Sequence, residues 1–192
     1  MALNNASNVS AGKPAIGGAI FVAPLGTAVP TNAIDTLDSA FVNVGYISED
    51  GLVNSNSPTT EGIKAWGGDT VYNTLTDKED TWKFTMIEIT NTDALKVVYG
   101  SANVSGDLTN GITIRANNAE TEEVALVADM VLRGKHLKRV VIPRAQVTEV
   151  GDISYVDNDV VGYETTMAAH PDEVIGYDTH REYIVTTEPE SE

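Results

Sequence analysis

The chain has 192 residues, 42% hydrophobic and 21% charged, enough for one sizeable core and too few for two large ones. It holds no cysteine, which excludes a disulfide framework, a thiolate nucleophile and a cysteine-built zinc site. The formal net charge is −16, with five basic residues and no acid over 133–144 and twelve acids against Arg181 alone over 145–192; such a chain is ill suited to gripping phosphate backbones, which takes Lys and Arg.

Residues 1–18 are rich in Asn, Ser, Ala and Gly and read as a flexible N-terminal arm, without the charged start and apolar core of a secretory signal. Residues 15–24 are apolar but too short and glycine-rich for a bilayer span, which needs about 20 residues. A core strand over 19–23 is expected there. Pro24 and Pro30 bracket a loop, and residues 35–39 suit a single helical turn. Phe41, Val42, Val44, Tyr46 and Ile47 then predict a strand, closed by the turn residues Glu49-Asp50-Gly51.

A long loop is expected over 53–65, because Asn54, Ser55, Asn56, Ser57 and Pro58 suit neither strand nor helix. Thr59 and Thr60 continue it towards Ala65-Trp66-Gly67-Gly68, a large aromatic beside two glycines that permit a sharp bend. Two readings fit: a hairpin with an ornate loop and Trp66 tucked beneath it, or an interaction loop that docks on a neighbouring subunit.

Trp82, Phe84 and Met86 alternate with Thr81, Lys83 and Thr85, predicting a two-faced strand within 80–90. A short helix follows over 91–100, with Asn91 or Thr92 as N-cap, Gly100 as terminator and Leu95, Val98 and Tyr99 on its buried side. Strands are expected over 112–116, over 122–133 (with Val124, Leu126, Ala128, Met130 and Leu132 on one face) and over 139–143 after a Gly134-Lys135 turn. Pro143 cannot donate to a ladder and marks an edge or a strand end. Short strands over 145–150 and 153–155 follow. Over 160–168, Val161, Tyr163 and Met167 oppose Glu164 and Thr166, and 182–187 is the last strand before an acidic tail over 188–192. Eight or nine strands and one helix make an all-β sandwich or barrel with a flanking helix, a single domain over 19–187.

No nucleophile elbow, Walker loop, HExxH motif or dinucleotide fingerprint is present. Asp157-Asn158-Asp159 begins like a calcium loop with Gly162 at its sixth position, but Ala168 stands where a bidentate Glu is required. His170 and His180 lie among Asp172, Glu173, Asp178 and Glu182 at a spacing that matches no ligand pattern and reads as solvated loop. Neither a cofactor nor enzymatic activity is expected. Arg133, Lys135, Lys138, Arg139 and Arg144 could be a nucleic-acid patch, a contact for the acidic C-terminal third of another copy, or a solvated hairpin; they lack the interleaved aromatics that would favour nucleic acid.

In order along the chain, GAIFVAPLGTAVPT, LDSAFVNVGYISEDGL, IKAWGGDTV, TNTDALKVVYG, KRVVIPRAQVTEVGDI and VVGYETTMAAHPDE resemble the major tail (tail tube) proteins of long, non-contractile-tailed bacteriophages. The resemblance runs from about residue 12 to 185. It implies a sandwich of two antiparallel sheets with a flanking helix, six copies to a ring, and rings stacked into a tube that carries the genome to the host. Inner sheets would join into one barrel, and the segment after an early strand would reach the adjacent ring, here Asn54, Ser55, Asn56, Ser57, Pro58, Thr59 and Thr60 with Trp66. Glu164 and Thr166 become candidates for the lumen wall, although Glu164 could equally face an outer surface. Arg133, Lys135, Lys138 and Arg139 become candidates for contacts between subunits. The implied partners are other copies of the chain, the tail terminator, tape-measure and tail-tip proteins, and viral DNA passing without specific binding. No membrane insertion is implied; the protein would reside in the virion tail and, during assembly, in the host cytoplasm. The alternative is an all-β virion surface or adhesion module acting as a monomer.

Overall fold

The computed structural model of the protein describes residues 4–186. Its strands are β1 (Lys13–Pro14), β2 (Ile20–Pro24), β3 (Val42–Asn43), β4 (Val53–Lys64), β5 (Thr70–Met86), then, after helix α1 (Thr92–Tyr99), β6 (Val104–Asp107), β7 (Gly111–Ile114), β8 (Glu123–Leu132), β9 (His136–Val150), β10 (Tyr163–Ala169) and β11 (Arg181–Thr186). All pairings are antiparallel and form two sheets, a nine-stranded one and the small β6–β7 hairpin.

The large sheet runs β3-β2-β8-β9-β10-β5-β4 and turns on β9. One edge of β9 pairs with β8; the other pairs with β11 over 136–141 and with β10 over 145–150. The two limbs then share a core. Ile20, Val22, Leu126 and Ala128 from one limb pack in the same cluster as Trp82, Phe84, Met86, Tyr163 and Met167 from the other, with Ala94, Leu95, Val97 and Val98 of α1. The in-phase run Trp82-Phe84-Met86 is buried as its alternation predicts. Each such side chain contributes roughly 1.5–3 kcal/mol of burial.

The turn in the sheet lies at Pro143. Leu126 pairs with Ile142 and Val124 with Ala145, so two residues of β9 face one of β8, a bulge that tolerates a residue with no N–H to donate. The expected break at Pro143 is therefore absent, and the two expected strands are one.

Helix α1 is capped as its sequence predicts. The Asn91 side chain accepts from Asp93 N at 3.0 Å, and Gly100, at φ 88°, donates its N–H to Lys96 O at 2.9 Å. Leu95 and Val98 are buried and Tyr99 partly so.

A second, smaller core of Ala23, Phe41, Ala125, Val127 and Val141 lies on the outer face of the β2-β8-β9 limb, with Val29, Leu37 and Tyr183 packed against it. Arg139 fixes the loop that covers it. Its guanidinium forks onto Asp129, directly across the ladder, at 2.6 and 2.8 Å, and donates to the carbonyls of Asn32 (3.2 Å) and Asp35 (2.7 Å).

Several expectations are corrected. Residues 35–39 form no helical turn, because the Asn32 and Asp35 side chains satisfy the local backbone in a non-helical loop. The strand expected over 41–47 shrinks to Val42–Asn43, since Gly45 at φ 88° breaks it. No strand forms over 153–155. Within the expected N-terminal arm, β1 lies along β8, and Arg133 N donates to Ser10 Oγ at 2.6 Å. Residues 1–3, Thr187 and the acidic tail over 188–192 lie outside the described residues.

Candidate assembly interface

The largest departure from expectation is over 53–65, which is strand and not loop. β4 pairs with β5 from Val53↔Lys83 to Lys64↔Thr70. Asn, Ser and Pro are depleted from central strands, but β4 is an edge strand in solvent, where an alternation of small polar residues suffices and Pro58 gives up no ladder bond. Residues 53–64 and 70–79 are all exposed, so the hairpin stands clear of the body as an arm roughly 30 Å long, at about 3.3 Å per residue.

Ala65 N donates to Asp69 O (2.7 Å) and Gly68 N to Ala65 O (3.0 Å), and Gly67 and Gly68 sit at φ 116° and 99°. This turn places Trp66 at the tip, fully exposed at 107% of its reference area, so it is not tucked beneath anything. The outer half of the arm is apolar on both faces: Ile63 lies opposite Tyr72 on one face and Leu75 projects from the other, all more than half exposed. The inner half is polar, with Ser55 and Ser57 bonded to each other at 3.1 Å, Glu79 opposite Ser57, and Lys78 and Asp77 opposite Pro58 and Thr59. A solvent-exposed apolar cluster of this kind marks an interaction site.

The arm is rooted at Asp80, which is 3% exposed. Its carboxylate accepts from Asn54 Nδ2 (2.8 Å), Thr179 Oγ1 (2.6 Å) and His180 Nδ1 (2.5 Å). Burial is the largest single influence on this carboxyl and pushes its pKa up, but the bonds from Thr179, Asn54 and His180, with the His180 charge, together hold it below the ordinary value. The His180 ring stands edge-on to Trp82 at 5.0 Å. Asn54, expected in the reaching segment, therefore turns inward at the root. Asp80 is in phase with Trp82, Phe84 and Met86, and that phase was the available sign of its burial.

The outward face of the β9-β10-β5-β4 limb is open and polar. Glu164 and Thr166 lie on it, opposite Thr85 and Lys83. Lys83 Nζ is 2.8 Å from Glu164 Oε1, and that bond raises the ammonium pKa against a smaller opposing effect of burial. Glu149 lies opposite Thr166 on the same face.

The basic group does not survive as one patch. Arg139 is buried in the Asp129 clamp, Lys138 pairs with Glu182 at 2.9 Å and Arg144 with Glu123 at 2.8 Å. Register sets Asp129 directly opposite Arg139, whereas Lys138, which lies opposite Met130 and Ile184, and Arg144, at the β9 bulge, reach acids of neighbouring strands off the paired position. Arg133 and Lys135 sit exposed at the β8–β9 turn. Among the described residues, no group of three or more His, Asp or Glu side chains could hold a metal ion.

A family model described as phage tail tube protein matches residues 1–175, and the chain belongs to that family, whose members are structural components of the virion tail. Among solved structures, the tube-terminating cap of the anti-feeding prophage aligns at 11% identity over 91% of this chain and 93% of that one, with a TM-score of 0.44. The sheath–tube complex of an extracellular contractile injection system in its extended state aligns at 11% identity over 90% and 93%, with a TM-score of 0.41. The sheath/tube terminator of such a system aligns at 11% over 88% and 96%, with a TM-score of 0.38. No curated protein matches the chain.

Proposed function

We propose that this protein is the structural subunit of a phage tail tube, in which six copies close a ring and rings stack into a hollow conduit for the viral DNA. The observation that carries this reading is the exposed arm with apolar side chains at its far end. An isolated two-stranded hairpin is at best marginally stable in water, and one with apolar residues on both faces gains from being covered. The arm reaches from one ring to the next, a heterologous contact that generates an open polymer unless a terminator stops it. Strand edges join between neighbours in the ring, which removes the liability of an unpaired edge.

The open face bearing Glu164, Thr166 and Glu149 lines the lumen. The subunit charge of −16 favours sliding over adhesion of DNA within a screening length of about 8–10 Å. The protein has no catalytic role and serves a long, non-contractile tail. It assembles in the host cytoplasm with tape-measure, tail-tip and terminator proteins.

Negative-stain electron microscopy of the concentrated protein, with light scattering on the same sample, tests the reading. Hollow tubes or rings of constant width are expected. A strict monomer, even when seeded with tail tips, would favour the monomeric binding-module alternative.

A further inference from the structure

One groove on the body has no role so far. It measures about 920 Å³ and lies between residues 12–20 on one wall and 45–52 on the other, with Ala128 and Met130 at its floor. Asn43 ties the walls together at one end: its Nδ2 donates to Gly17 O at 2.8 Å, and its Oδ1 accepts from Gly45 N at 2.8 Å. Each wall shows a large apolar side chain to solvent, Ile16 at 104% and Tyr46 at 76% of reference area. The walls also differ in charge. The first carries Lys13; the second carries Glu49 and Asp50.

The arm tip has the matching pattern. Trp66 is flanked by Lys64 on the β4 side and Asp69 on the β5 side, and its two faces offer Ile63 with Tyr72 and Leu75. Among the described residues, Lys13, Glu49, Lys64 and Asp69 enter no ion pair. A second concavity, beneath the loop over 28–38, has Asp35 and Asp38 as its charged lining residues and no base to meet Asp69.

We propose that the arm tip of one copy seats in this groove of another, with Trp66 between Ile16 and Tyr46, Lys64 facing Glu49 and Asp50, and Asp69 facing Lys13. The arm cannot fill its own groove. It begins at Val53, directly after the groove residue Leu52, and carries its tip roughly 30 Å away, at about 3.3 Å per strand residue. The contact is therefore made between copies, tip to groove, and in a stacked polymer it repeats from copy to copy. Met130 at the floor gives an adaptable surface for an indole. This docking rests on the tube reading and names the arm's partner within it.

The chain has no cysteine, so introduced thiols report cleanly. Ala65→Cys and Ile16→Cys, both at exposed positions and leaving Trp66 in place, are combined in the full chain. The polymer is treated with a short bis-maleimide and run on a denaturing gel. A ladder of covalent multimers is expected, absent when Ile16→Cys is replaced by Thr166→Cys on the open sheet face. Polymer without the ladder, or an equal ladder from both pairs, overturns the docking and leaves the tube reading standing. Failure of the unaltered chain to polymerise overturns both. Orientation is read separately: Lys64→Glu and Glu49→Lys should each raise the concentration needed for polymer about tenfold, and the double variant should recover most of it. Simple additivity would refute the stated orientation.

Discussion

Asp80 and His180 are joined at the root of the arm, the carboxylate Oδ2 2.5 Å from the ring Nδ1, although 100 positions separate them in the chain. Asp80 belongs to β5, where the strand passes from the exposed arm into the core, and His180 directly precedes β11. Thr179 and Asn54 complete the carboxylate's shell. The direction in which the arm leaves the body is thus fixed by side chains from three segments.

Asp80→Asn should destabilise the fold by about 1–3 kcal/mol at neutral pH, because an amide cannot accept all three donors. The native carboxyl titrates below its unfolded value. The unfolded chain therefore takes up the proton first. The stabilisation is present above the unfolded pKa of about 3.9 and is lost as the pH falls through the lower native value. Urea unfolding of both proteins across pH should show a gap that closes under acid. An equal gap at neutral pH and well below pH 4 would refute the assignment.

Arg139→Met should cost about 3 kcal/mol or more, because it leaves Asp129 charged and the carbonyls of Asn32 and Asp35 unpaired beneath a loop. Arg139→Lys should recover little, since an ammonium cannot make the two-pronged contact with Asp129 and reach both carbonyls. Unfolding midpoints, with limited proteolysis of the loop over 25–41, would check this. Full stability in the lysine variant would mean that the fork contributes nothing.

Residues whose environment is set by near neighbours were legible in the sequence. The α1 caps, the Trp82-Phe84-Met86 stripe and the Tyr163-Met167 face follow from local spacing and are where the pattern puts them. The segment over 53–65 stood out in the sequence as unusual but was not legible as a strand. Asn54 to Pro58 look like a loop by propensity, and only pairing with β5, itself set by the Trp66-Gly67-Gly68 turn, makes them a strand. The basic cluster was misleading because sequence shows which charges lie close along the chain, not which acids register brings across the ladder. Asp129 opposite Arg139 is such a case. The groove was not legible at all, because its walls and floor come from three separated segments.

Replacing residues 57–79 by an Asn-Gly turn, which joins the paired residues Asn56 and Asp80, should leave the body folded. The deleted residues are exposed throughout, and the Asp80 root is kept. Stability should change by less than about 1 kcal/mol, the range of surface changes. Polymer should be lost. Tubes of unchanged appearance from the armless chain would show that stacking is held elsewhere.

Glu164→Lys separates the lumen assignment from the fold. The Glu164–Lys83 pair is about half exposed at both ends, so its loss should change monomer stability by no more than about 1 kcal/mol. If the face it occupies lines the tube, each subunit replaces an acid by a base next to Lys83 on the wall that DNA passes. Tubes of the variant should then retain short duplex DNA at low salt and release it as salt rises, following the counterion dependence of phosphate contacts. Co-sedimentation of labelled duplex with unaltered and variant tubes reads this directly. Equal retention by both at low salt would place Glu164 away from the DNA path.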